Sequence, residues 1–151
     1  MTARLDANRV APDGYKAMAG LQGYVNRCGI EAPLLELVKI RASQINGCAF
    51  CIAMHVRDAR ALGESEERMH LLNAWHEAPL YTARERAALA WTEAVTLIAG
   101  GHVPDAVYEA ARREFAEKEL VDLTYAVVAI NGWNRLAIAF RRPPEVIAVA
   151  T

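Results

Sequence analysis

Apolar residues recur at helical spacing along almost the whole chain, and glycine or proline interrupts them at short intervals. That pattern leaves little room for anything but a bundle of helices. Tyr15, Met18, Gln22, Val25 and Cys28 share one stripe, with Pro12 and Asp13 as a start and Gly29 as a stop. Pro33 opens a second segment, in which Leu34, Leu37, Val38, Ala42 and Ile45 line up until Asn46-Gly47 breaks it. A third runs from that break to Leu62, where Gly63 is a natural C-terminal stop. Ser65 is placed to cap a helix through Trp75, with Glu66 and Glu67 at its positive end. Thr82-Ala83-Arg84-Glu85 reads as a capping box for a helix to about Ile98, which Gly100-Gly101 would end. Pro104 at a first helical position starts a segment to Phe115, and a longer one covers about Lys118 to Phe140 before Pro143-Pro144. Val127-Val128 is β-branched, yet it lies in an alanine-rich run of helical period. No strand pair emerges, so the expected fold is all-α, a single domain over residues 1–151.

The chain of 151 residues can bury a real core, and its 54% hydrophobic and 23% charged residues fit a globular protein. With 17 basic and 18 acidic residues the net charge is -1, which gives no reason to expect nucleic acid or an anionic membrane as partner. No apolar run is long enough to span a bilayer, and Met1-Thr2-Ala3-Arg4-Leu5-Asp6 lacks the apolar centre of a signal peptide. A cytoplasmic location is expected. Three cysteines are an odd number and too few for a disulfide framework. In a reducing compartment a close pair points to catalysis or metal binding.

That close pair lies in Gly47-Cys48-Ala49-Phe50-Cys51-Ile52-Ala53-Met54-His55. On a helix Cys48 and Cys51 are about 60° apart and Cys51 and His55 about 40°, so all three share one face. The break at Asn46-Gly47 puts Cys48 in the first turn, where free backbone N–H groups and the helix dipole favour a thiolate. Cys51 sits deeper but has His55 to take or share its proton. Local electrostatics alone would make either cysteine the nucleophile. A sulfenic acid on one sulfur would condense with the other to a disulfide, which an external dithiol would reopen. Glu36 lies on the preceding helix among Leu34, Leu35, Leu37 and Val38. A buried carboxylate there would have a raised pKa, useful for moving protons. Spacing alone equally allows an ordinary glutamate paired near Lys39 or Arg41.

Other readings use the same residues. Cys48, Cys51 and His55 could hold zinc, with Glu36 or His102 as a fourth ligand. The pair could also be a redox switch for an interaction, or two small core residues. Cys28 lies on an apolar stripe and reads as a buried, inert thiol. His70, His76 and His102 have no identifiable partner and read as structural or solvated. Trp75, Trp91, Trp133 and Tyr125 fall on apolar faces, for core or subunit packing, with pocket lining as a minor alternative. Asn131, Asn134 and Arg135 place polar groups in the long apolar helix, for capping a neighbouring chain or lining a pocket.

Taken together, Glu36, Arg41-Ala42-Ser43-Gln44-Ile45-Asn46-Gly47, Cys48-Ala49-Phe50-Cys51 and His55 resemble the alkylhydroperoxidase AhpD core of the carboxymuconolactone decarboxylase-like superfamily. The motif covers about residues 34 to 62, and the later segments look like the rest of that all-helical fold. The resemblance implies a thiol-dependent hydroperoxide reductase, an antioxidant enzyme of peroxiredoxin type. It implies Cys51 as the peroxide-attacking thiolate, Cys48 as the resolving thiol, His55 as proton relay and Glu36 as base. It implies no cofactor beyond an external dithiol, supplied in some members by a lipoyl group on a partner protein, and assembly as a homotrimer or homohexamer. Alanine-rich helices carrying several tryptophans also invite association. One departure stands out: Phe50 occupies a position where some peroxidase members carry histidine, which would weaken the relay or change the substrate. True decarboxylases of the superfamily generally lack the cysteine pair, so decarboxylation is disfavoured.

Overall fold

A computed structural model describes residues 2–145. Among them every regular element is helical, and no strand occurs. The helices are α1 (Ala7–Val10), α2 (Pro12–Val25), α3 (Ala32–Asn46), α4 (Ala49–Ala61), α5 (Glu66–Leu71), α6 (Ala83–Thr96), α7 (Ile98–Gly101), α8 (Asp105–Glu114) and α9 (Glu117–Ala139). None is long and apolar enough to cross a membrane.

Most boundaries follow local chemistry. The Thr82 hydroxyl accepts the Glu85 N–H at 3.2 Å, and the Glu85 carboxylate accepts the Thr82 N–H at 2.7 Å, the reciprocal capping box expected there. Ser65 caps α5 by accepting the Arg68 N–H. Four details differ from the sequence reading. The α5 helix stops at Leu71 and tightens into a 3₁₀ turn over Leu72–Ala74, short of Trp75. Gly100 and Gly101 close the one-turn α7, and the chain reverses at His102, whose φ is 55°. Pro104 is the residue before α8 and not its first. The short α1 was not anticipated; Asp6 creates it by accepting the N–H groups of Asn8 and Arg9.

α3 is the axis of the fold. It packs against α4, α6 and α9, and Leu37, Val38, Ile40 and Ala42 are wholly buried. On one side Leu34, Leu35 and Val38 join Ala88, Trp91, Leu123 and Val127. On another, Leu37 and Ile40 join Met69, Leu72, Trp75 and Leu89. A third, smaller cluster holds Ala42, Cys48, Cys51, Ile130 and Ala137. A helix buried on so many sides cannot show a clean amphipathic stripe, and charged residues on it must find partners inside the protein. Trp75 and Trp91 are core residues as expected, whereas Tyr125 is exposed and meets Tyr24 edge-on at 5.9 Å.

Candidate redox site

The site is built where α3 hands over to α4. Gly47 ends α3 in the left-handed conformation, with φ 71° and ψ 33°, and the Cys48 N–H donates to the Ser43 carbonyl at 3.0 Å. No heavy atom lies near the place of a Cβ on Gly47, so the backbone conformation, not space, calls for glycine. An amide network, buried at Asn134 and Ser43, holds this corner on α9. The Asn46 side-chain amide donates to the side-chain oxygens of Asn131 and Asn134, each at 2.9 Å, and Asn134 donates to the Ser43 hydroxyl at 3.0 Å. Asn131 and Asn134 therefore clamp the turn before Cys48. Arg135 completes the network by donating to Asn131.

The turn leaves Cys48 as the N-cap of α4, one residue before the helix proper. Its sulfur accepts the Cys51 N–H at 3.4 Å. Cys48 and Cys51 are joined as a disulfide, with their Cα atoms 5.4 Å apart, inside the range such a bond needs. Both are buried in the third cluster. Cys28 is the free cysteine; it is partly buried against the first cluster, in keeping with a packing role.

One turn beyond Cys51, His55 meets Glu36. Its Nδ1 lies 2.8 Å from Glu36 Oε2, and Lys39 Nζ lies 2.7 Å from the other carboxylate oxygen. All three residues are 7% exposed. Burial pushes the Glu36 carboxyl up, but the His55 hydrogen bond and the Lys39 ammonium together pull it down further, and it ends below its ordinary value. This corrects the expectation of a raised pKa: Glu36 stays a carboxylate and is a weak base. The sequence reading treated an ion pair with Lys39 and a buried relay as alternatives, and the structure combines them. With a carboxylate on Nδ1, the neutral imidazole carries its proton there and leaves Nε2 as the basic nitrogen. Lys39 is the functional neighbour that sequence reasoning left aside; its only signal was its place three residues after Glu36 on a helix.

The ligand-type atoms that converge among the described residues belong to Glu36, His55 and Asp58, within 4.8 Å of one another. Neither cysteine nor His102 joins them, so the zinc set drawn from the sequence is not assembled. His70 and His76 lie on the surface, near Glu66 and Glu93 respectively.

Two cavities flank this arrangement. One, of about 560 Å³, is lined by Glu36, Lys39 and His55, by the apolar Leu35, Met54 and Trp133, and by Gln22 and Asn26. The other, of about 380 Å³, is lined by Cys48, Gly47, Ile138, Arg141 and the two prolines that follow. Phe50 and Arg142 line both. The Arg142 guanidinium lies over the Phe50 ring, 4.0 Å from its centroid.

Comparison with known proteins agrees with the geometry. Residues 12–94 match the Carboxymuconolactone decarboxylase family. The uncharacterized protein YdfG of Bacillus subtilis is 44% identical over 139 residues, which cover 92% of this chain and 95% of YdfG. The crystal structure of an Agrobacterium tumefaciens protein of unknown function, named with AhpD antioxidant defence, superposes with a TM-score of 0.94 at 43% identity. It covers 97% of this chain and 100% of that one. The AhpD core of a peroxidase-related protein from Ralstonia eutropha shares the fold, with a TM-score of 0.80 at 20% identity over 92% of this chain and 74% of that one.

Proposed function

This chain belongs to the carboxymuconolactone decarboxylase family in its AhpD-like form, and from that premise we propose that it is a thiol-dependent hydroperoxide reductase. The observation that carries the reading is the Cys48–Cys51 bond one helical turn from a His55–Glu36–Lys39 chain. His55 Nε2 takes the Cys51 proton, and the imidazolium is stabilised by the Glu36 carboxylate. Glu36 thus orients and charges the histidine and is not itself the base. The Cys51 thiolate attacks the terminal hydroperoxide oxygen, the O–O bond breaks, and the alkoxide leaves with a proton as alcohol. The resulting sulfenic acid is attacked by the Cys48 thiol, releasing water and forming the disulfide. An external dithiol then reduces that bond and becomes a disulfide itself. The net change is one hydroperoxide and one dithiol to alcohol, water and a cyclic disulfide.

Phe50 supplies no proton to this relay, so His55 bears it alone. The 560 Å³ cavity has room for an organic hydroperoxide, with Leu35, Met54 and Trp133 as an apolar wall alongside the polar groups of the relay. Steady-state consumption of cumene hydroperoxide with dithiothreitol tests the reading. Wild type turns over, while Cys51→Ser and Cys48→Ser each lose at least 10²-fold. Equal rates in the three proteins would overturn it.

A further inference from the structure

Only one of the two cavities reaches the disulfide. Cys48 lines the smaller one, whereas the larger is lined by the relay and by neither cysteine. The partition is the Phe50–Arg142 stack, held by the segment that follows α9. Arg57 lies two turns after Phe50 on α4, about 10 Å along the helix, and Glu145 lies three residues after Arg142, also about 10 Å of extended chain. Arg57 reaches Glu145 at 3.5 Å, so the segment runs along α4 and walls off one cavity from the other.

Arg141 and Arg142 line the smaller cavity together with Cys48. Among the described residues neither has a carboxylate within ion-pair distance. Arg141 is also in an unusual place. It follows the α9 C-cap with φ 54°, and the Arg142 N–H closes the turn onto the Ala137 carbonyl at 2.9 Å. Glycine is the ordinary occupant of that left-handed position, because a Cβ is strained there. The chain keeps a long cationic side chain at a conformational cost, on the wall of the cavity that contains Cys48.

We propose that this cavity is the reductant site and selects a small dithiol carrying its own carboxylate, which Arg141 and Arg142 bind. This rests on the reading that the Cys48–Cys51 bond turns over. One thiolate of the reductant attacks Cys48 Sγ, the Cys48–Cys51 bond breaks, and Cys51 leaves as the thiolate beside His55. The second thiol of the reductant then attacks the mixed disulfide, closes the oxidised reductant into a ring and frees Cys48 as thiolate, which takes up a proton. The sulfur that leaves is the one that, in the proposed reaction, next meets peroxide.

The test reads disulfide reduction alone, with no peroxide present, so it is separate from failure of the peroxidase reading. Oxidised protein is exposed at low salt to dihydrolipoate or to dihydrolipoamide, which differ only in carboxylate against amide, and freed thiols are counted by maleimide labelling. The carboxylate form reduces wild type about fivefold faster, the scale of one partly exposed ion pair, and the advantage fades at 1 M salt. In Arg141→Gly/Arg142→Gln the ratio falls to about one. Arg141→Gly alone lowers the ratio while keeping or raising the melting temperature, since glycine relieves the left-handed strain. With 3-mercaptopropionate and rapid alkylation, the mixed disulfide is found on Cys48. A ratio of one in wild type, a ratio unchanged in the double variant, or an adduct on Cys51 would each overturn the proposal.

Discussion

Glu36 is held as an anion in the interior by the Lys39 ammonium and by its hydrogen bond with His55. Its folded pKa lies below its ordinary value of 4.5. A depressed carboxylate contributes stability that is present above about 4.5 and is lost as pH falls through the lower folded value. Glu36→Gln should therefore flatten the acid limb of a melting-temperature curve between neutrality and pH 3. At pH 7 it should cost about 3 kcal/mol, because Lys39 is left buried without its anion. A steep acid limb retained in the variant would show that other carboxylates carry it. At this scale the sequence was legible where partners lie one turn apart, as for Cys48, Cys51 and His55. It was not legible where burial decides. Glu36 and Lys39 look like a surface pair until α3 is seen to be enclosed by three other helices. Arg142 could not be connected with Phe50 by any spacing rule, because chain folding alone brings them together.

The elements that present the site depend on the α3–α4 corner. Gly47→Ala meets no neighbouring atom, so its cost is conformational, about 1 kcal/mol by urea unfolding, with slower closure of the disulfide after reduction. Wild-type stability in that variant would mean the corner relaxes without glycine. Asn134→Ala removes an acceptor from Asn46 and a donor from Ser43, both in the buried corner, and should cost about 2 kcal/mol. A loss below about 0.5 kcal/mol would show that water replaces the amide. Element boundaries were legible at Thr82, Ser65, Gly47 and Gly63, where a cap or a glycine sets them, but not at Asp6 or Gly100-Gly101. They were misread where the deciding group is tertiary. The polar residues of α9 are an example: Asn131 and Asn134 face α3 and Asn46, a contact separated by more than eighty residues of chain.

At the scale of the molecule, the fold leaves Val121, Tyr125, Val128 and Ile138 of α9 exposed, together with Leu5, Val10 and Tyr15 near the N-terminus. We propose that these apolar surfaces are covered by further copies of the chain, as a homotrimer or homohexamer. Sedimentation should give a mass of three or six chains, and a mass of one chain would remove that expectation. The all-helical architecture itself was readable from periodicity and punctuation. The division of the space around the site into two cavities, one reaching Cys48 and one reaching the relay, was not, since it depends on where the segment after α9 lies on α4. The central claim is that Cys51 is the sulfur that meets peroxide, and it is tested most directly by one equivalent of cumene hydroperoxide added to prereduced Cys48→Ser and Cys51→Ser, with peptide mass analysis after dimedone trapping. The account predicts a dimedone adduct on Cys51 in Cys48→Ser and none on Cys48 in Cys51→Ser, whereas an adduct on Cys48 with Cys51 left unmodified would contradict it.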